Sequence, residues 1–183
     1  MASVITHGLA AVIIGKSFIK NKQSPGFWFS LVLCSLIPDI DVVGVKFGIA
    51  YGDFWGHRGF THSLVFALIV GFVVGLVFYR RLGIASSEWW RYVALYSTVT
   101  ATHGIFDAMT NGGLGIAFFA HFDNGRYFFP WTPVQVTRVG FHNFLSLKGF
   151  RILVSEGIYI LMPILVVSFI LGWGRRRYRK HKN

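Results

Sequence analysis

The chain contains one cysteine, Cys34, and only seven Asp and Glu in 183 residues. A single thiol excludes an intramolecular disulfide and a cysteine-based metal site, and its place inside an apolar run is that of a packed side chain. Charge of either sign is scarce: 14% of residues are charged against 54% hydrophobic, and the mean hydropathy is +0.54. A water-soluble domain of this size needs more polar surface than that, so a soluble class is excluded. Internal repeats and low-complexity stretches are also missing. No basic segment precedes the first apolar run and no cleavage site follows it, so no removable signal peptide is expected.

What is present points to a bilayer. Nineteen Phe and six Trp suit membrane interfaces and helix packing in lipid. Residues 60–79 and 152–173 each approach the ~20 apolar residues that cross ~30 Å of hydrocarbon. A third segment, 89–108, carries Ser97, Thr98, Thr100 and Thr102, whose hydroxyls can bond helix carbonyls on their own or a neighbouring helix. Segment 4–19 is interrupted by His7 and Lys16, and segment 27–37 stops at Pro38, so both are expected to be short or tilted. Pro163 is expected to kink the last helix. The fold class expected is all-α: a single membrane domain over 1–183 with about five transmembrane or membrane-embedded helices.

The formal net charge of +11 would suggest nucleic acid if it formed a stripe on a soluble fold. Instead the basic residues sit beside apolar runs, so no nucleic-acid partner is expected. Twelve of the eighteen, Lys16, Lys20, Lys22, Arg80, Arg81, Arg91, Arg175, Arg176, Arg177, Arg179, Lys180 and Lys182, fall on one side of a five-crossing chain. The positive-inside rule puts that side, and with it the C-terminus and the basic tail 174–183, in the cytoplasm. The tail should also attract anionic lipid. Six of the seven acids then fall outside, leaving Glu88 within. The outer link, 109–151, reads as an extracytoplasmic cap. Its aromatic segments Phe118-Phe119-Ala120-His121-Phe122 and Arg126-Tyr127-Phe128-Phe129 flank Asp123-Asn124-Gly125 as a β-hairpin would, until Pro130 and Pro133 end the ladder.

With the spans so oriented, His7, Pro38-Asp39-Ile40-Asp41, His57-Arg58-Gly59-Phe60-Thr61-His62-Ser63 and His103-Gly104-Ile105-Phe106-Asp107 reach one face of the membrane. His103 and Asp107 are i and i+4 on a helix and share a face. Asp39 and Asp41 cannot both face one way on a regular helix, but the break at Pro38 allows an irregular turn to aim either at a cation. Two imidazoles and a guanidinium within seven residues exceed what helix capping by Thr61 and Ser63 would need. Ionisable groups near hydrocarbon are costly unless paired, and His with Asp on facing helices is a good ligand set for zinc or manganese, as one or two ions. His7, Asp41, His57, His62, His103 and Asp107 are therefore the candidate metal ligands. Arg58 and Asp39 are the candidate catalytic groups, with Arg58 placed to hold a phosphate oxygen or developing negative charge. Arg126 and Trp131 are candidate contacts for a lipid headgroup. His121 and His142 lie in the outer link, where surface histidines are expected, and participation of His142 is left open.

Thr6-His7, Pro38-Asp39-x-Asp41, His57-Arg58-Gly59-x-Thr61-His62-Ser63 and His103-x-x-x-Asp107 together resemble the YdjM-like family of bacterial inner-membrane proteins, described as LexA-regulated, membrane-bound metal-dependent hydrolases. The order of these elements is also distantly similar to zinc-dependent phospholipase C, although its later His and His-x-x-x-Glu have no counterpart here. The resemblance implies a multi-pass inner-membrane location and metal-assisted hydrolysis. A lipid-linked phosphoester, cleaved at the extracytoplasmic face, is the expected substrate. A metal-binding transporter or other non-catalytic membrane protein, and a ceramidase-like amide hydrolase, are the alternatives.

Overall fold

The computed structural model describes residues 1–19, 21–136 and 146–180, and its regular structure is helical. The helices are α1 Val4–Phe18, α2 Pro25–Leu36, α3 Asp41–Lys46, α4 Leu64–Phe78, α5 Ser87–Ala108, α6 Leu147–Glu156 and α7 Met162–Lys180. Among the described residues there is no strand, and extended pairing is limited to isolated bridges, Thr110 with Val134 and Ile116 with Tyr127. The expected hairpin is thus represented by a single antiparallel bridge, and residues 118–122 form turns instead. Left-handed backbone at Gly113, Gly115 and His121 bends this segment where a strand would have to run straight.

Five helices begin at a serine whose hydroxyl accepts one of the otherwise unpaired first-turn amides: Ser3, Ser24, Ser63, Ser86 and Ser146. The helical run Pro25–Lys46 of 22 residues and the run Leu147–Gly174 of 28 residues are long and apolar enough to cross a membrane. The first of these passes through Pro38, where the sequence suggested a stop. It does so by tightening into a 3-10 turn, Ile37–Ile40, between α2 and α3. Helix α4 has 15 residues, which at ~1.5 Å rise is shorter than the hydrocarbon layer; the 3-10 turn Phe60–His62 extends it. Near Pro163 a π-helical stretch, Gly157–Leu161, widens the chain where the proline ring would meet the carbonyl of Tyr159.

Polarity is arranged the opposite way to that of a soluble protein. Phe29, Leu68, Phe78 and Phe169 are exposed, whereas His7, Arg58, His103, Asp107 and Glu156 are buried. Such an exterior is suited to lipid. One apolar cluster joins α1, α2, α4 and α5 through Ala11, Leu31, Val70, Leu95, Tyr96 and Val99, and another joins α1, α5 and the π-helical stretch through Ala10, Phe106 and Ile160. Helices α4 and α5 approach closely at Gly71, where a Cβ would meet Ser97 Oγ at 2.1 Å and the Val93 carbonyl oxygen at 2.6 Å. One turn on, the Trp89 indole donates to the Gly75 carbonyl at 2.9 Å. Small residues spaced four apart let membrane helices pack backbone to backbone.

Gly71→Ala should therefore force α4 and α5 apart and cost about 1–3 kcal/mol, read as a lowered unfolding temperature in detergent. Gly172→Ala, where a new Cβ has open space around it, should leave the temperature unchanged.

Candidate metal centre

The centre begins with a missing hydrogen. Pro38 has no N–H to return to Cys34, and the 3-10 turn shifts the amide of Asp39 from Ser35 towards Leu36. Helix α5 takes up both released carbonyls: Thr100 Oγ1 donates to Cys34 O at 3.2 Å, and His103 Nδ1 lies 2.7 Å from Ser35 O. A carbonyl only accepts, so Nδ1 of His103 carries the proton and its Nε2 keeps a lone pair. That lone pair faces Asp39 Oδ1 at 3.3 Å. Gly104 permits the approach, since a Cβ there would lie 2.8 Å from the His62 carbonyl oxygen.

The same turn aims Asp39 and Asp41 at opposite sides of His62. Nε2 of His62 lies 3.6 Å from Asp39 Oδ1, and its Nδ1 lies 3.1 Å from Asp41 Oδ2. Asp41 acts as a hub: Oδ1 accepts from His57 Nδ1 at 2.7 Å, while Oδ2 accepts from the Arg58 amide at 3.1 Å and Thr61 Oγ1 at 2.6 Å. Thr61 thus serves the carboxylate, and Ser63 alone caps α4. Arg58 adopts left-handed backbone, φ 66°, and is fully buried. Its guanidinium donates to Gly112 O at 2.6 Å and Thr110 Oγ1 at 3.1 Å, and lies 3.3 Å from Asp107 Oδ2.

The N-terminal residues close the remaining side. The Ala2 amide donates to Asp107 Oδ1 at 2.7 Å. Glu156, buried before the π-helical stretch, accepts from the Ser3 amide at 2.6 Å, Ser3 Oγ at 2.5 Å and Thr6 Oγ1 at 2.7 Å. A carboxylate at a helix N-terminus also meets the positive end of the dipole. These bonds fix the first turn of α1 and with it His7, whose ring stacks on His103 at 3.9 Å and whose Nε2 lies 3.6 Å from Asp107 Oδ1.

Both ring nitrogens of His7, Nε2 of His62 and His103, Oδ1 of Asp39 and Oδ2 of Asp107 are buried without a hydrogen-bond partner among the described residues. Buried polar atoms are nearly always paired, and lone pairs that face one another repel unless a cation lies between them. Ligand atoms of Asp39, His62, His103 and Asp107 all lie within 4.8 Å of one another, as do those of Asp41, His57 and His62. Either group could hold a metal ion. In the second, the Asp41 oxygens and His57 Nδ1 are already engaged, which favours the first.

Of the residues singled out by sequence, His7, Asp39, Asp41, His57, Arg58, His62, His103 and Asp107 thus come together. Arg126 stands one layer out. It donates to the backbone carbonyls of His57 at 2.9 Å, Tyr51 at 3.0 Å and Asp53 at 3.1 Å, tying the segment after α5 to the loop that carries His57. Burial raises the Tyr51 hydroxyl above its ordinary pKa. Trp131 lies edge-on to Tyr159 and largely exposed, with no ring contact or hydrogen bond to the centre among the described residues. His121 packs on Phe122, away from the centre, and His142 lies outside the described residues. Glu156, Thr110 and the Ser35 carbonyl were not foreseen as part of the site. Glu156 did carry a signal, as the lone acid in an apolar run of 28 residues.

An all-helical chain with a lipid-suited exterior and a buried His/Asp cluster able to hold a metal defines a class of membrane protein. More narrowly, the chain belongs to the YdjM family: the model described as YdjM inner membrane protein matches residues 1–180. It is also 32% identical over 177 residues to the inner membrane protein YbcI of Escherichia coli (strain K12), covering 96% of this chain and 100% of that protein. No solved structure matches. Family and relative both indicate an inner-membrane location.

Glu156→Ala strips three donors of their acceptor and should lower stability by about 3 kcal/mol, measured by denaturation in detergent. Glu88→Ala, at an exposed position, should stay within about 0.5 kcal/mol of the parent.

Proposed function

We propose that this chain is a membrane-bound metal-dependent hydrolase that cleaves a lipid-linked phosphoester at the extracytoplasmic face of the inner membrane. The observation that carries this reading is the convergence of unpartnered, buried ligand atoms from α5, the Pro38 turn and the turn before α4. Asp39, His62, His103 and Asp107 fit a divalent ion, zinc by donor preference, with manganese also suited to this set. When bound, the ion supplies an acidified water as nucleophile and a Lewis acid for the ester oxygen.

The chain's own residues set the conditions for that chemistry. Ser35 O and the Thr61–Asp41 pair hold the Nδ1 protons of His103 and His62 and so turn both Nε2 lone pairs inward, the usual support of a ligating histidine. Asp41 therefore acts behind His62 and His57, and Asp39 acts in front, which reverses the roles that the sequence suggested for the two. Arg58 is held rigidly beside Asp107 and can steady negative charge developing on a phosphoryl oxygen. Water is excluded on most sides. The Asp39 side chain alone among the four ligands keeps appreciable exposure, 16%. On the same helical face, four residues on, stands exposed Val43, and Ile40 and Phe47 are exposed nearby. An amphiphile with its head at Asp39 and its tail along this apolar face fits such an opening.

In the five-crossing arrangement the basic ends of the helices lie in the cytoplasm and the metal centre outside, on the side of the link that follows α5. A C-terminal green fluorescent reporter should accordingly be bright and an alkaline phosphatase reporter inactive; the reverse result would invert the proposed side of the reaction.

Purified protein should carry a divalent ion and cleave at least one member of a panel of phospholipids and lipid-linked phosphates, with activity abolished by chelation and by His62→Ala. Asp41→Asn should keep the stoichiometry but weaken metal binding by about 10–100-fold. Metal-loaded protein that cleaves nothing in the panel, yet moves metal into proteoliposomes, would replace hydrolysis with transport.

A further inference from the structure

Away from the metal centre, α7 stands partly clear of the bundle. Ile160, just before it, packs with Ala10, Phe106 and Val134. Farther along, α7 leaves a groove of about 300 Å³ against α1 and α5, lined by Ile14, Phe18, Thr98, Val167, Ser168 and Leu171 among others. That volume is at the lower end of the ~300–1,000 Å³ of small-molecule sites and suits one slender apolar chain. The outer faces around it, Val166, Phe169 and Ile170, are exposed and apolar, so the groove opens to lipid.

Charge at one end of the groove says what fills it. From Thr98 the exposed face of α5 continues through Ala94 to Arg91, at the spacing that keeps residues on one side of a helix. This is the end at which α1 stops, at Phe18, and at which α7 runs on into the basic segment 175–180. Arg91 is exposed there and forms no ion pair among the described residues, although Glu88 lies one turn away. An unpaired guanidinium at the mouth of a one-chain apolar groove complements a phosphate carried on a hydrocarbon tail. A second copy of the chain would bring its own Arg91 and basic tail to the same level, and like charges brought together are unfavourable.

We propose that this groove seats one acyl chain of an anionic phospholipid whose phosphate lies on Arg91, and that the bound lipid fastens α7 to α1 and α5. The site is separate from the metal centre and does not depend on what that centre does. Unlike the diffuse attraction of a basic tail, it needs the groove as well as the charge.

The test titrates the full chain in a neutral detergent with phosphatidylglycerol or with phosphatidylcholine, reading the unfolding temperature and counting bound lipid by native mass spectrometry. Phosphatidylglycerol should raise the temperature by about 5 °C and leave one lipid bound, whereas phosphatidylcholine should do neither. Arg91→Gln should weaken phosphatidylglycerol binding about fivefold. Ser168→Phe, which fills the groove and leaves every cation in place, should abolish the shift. A shift retained in Ser168→Phe means attraction by charge alone and overturns the site, as does an equal response to the two lipids. A parent dimer that Ser168→Phe turns into a monomer overturns it as well, by giving the groove to a second copy. If Ser168→Phe does not fold, undiminished phosphatidylglycerol binding in Arg91→Gln, an exposed position, is the result that overturns it.

Discussion

The structure turns on a conflict of like groups. Nε2 of His103 and of His62 face the same Asp39 oxygen with no proton assigned to any of the three, inside a bundle whose outside is hydrocarbon-like. In water such a cluster would be solvated and unremarkable. In a low-dielectric interior a bound cation would compensate it. The surrounding bonds hold the conflict in place: Ser35 O fixes one imidazole, Thr61 and Asp41 fix the other, and Gly112 O and Thr110 restrain Arg58.

The helices can be understood as the means of bringing these groups to one depth. Pro38 is central, because the same missing N–H that breaks α2 releases the carbonyls that dock α5 and rotates Asp39 and Asp41 to either side of His62. Close packing of α4 on α5 through Gly71 and Gly75 sets His62, just before α4, against His103. Glu156 fastens the start of α1 to the end of α6, and so couples the last helical pair to the turn that carries His7. The π-helical stretch that follows Glu156 lies where the chain must accommodate both that buried acid and Pro163.

Much of the site was legible in the sequence because its residues are chemically conspicuous in an apolar chain. The i and i+4 pair of His103 and Asp107, and the density of groups from His57 to Ser63, needed only helix periodicity and the expense of charge in lipid. The all-helical class followed from hydropathy. What escaped was whatever depends on backbone rather than side-chain identity. The continuation of α2 through Pro38 could not be read, since a proline ends most helices and a 3-10 turn has no strong signature. The placement of Asp39 and Asp41 on either side of His62 follows from that turn and was hidden with it. Aromatic segments flanking Asp123-Asn124-Gly125 suggested a hairpin, but left-handed backbone at Gly113, Gly115 and His121 leaves a single bridge, Ile116 with Tyr127. Arg126 was placed at a lipid headgroup on charge, and its three bonds to backbone carbonyls, which use three of its five donors, had no signal in the sequence.

These relations make the hydrolytic reading depend on one physical fact, the direction of two imidazole lone pairs. X-ray absorption at the zinc edge of the zinc-loaded protein in detergent reads that fact directly. The account predicts a shell of nitrogen and oxygen with multiple scattering from at least two imidazoles and no sulfur. A shell of oxygen alone, without imidazole scattering, would contradict it.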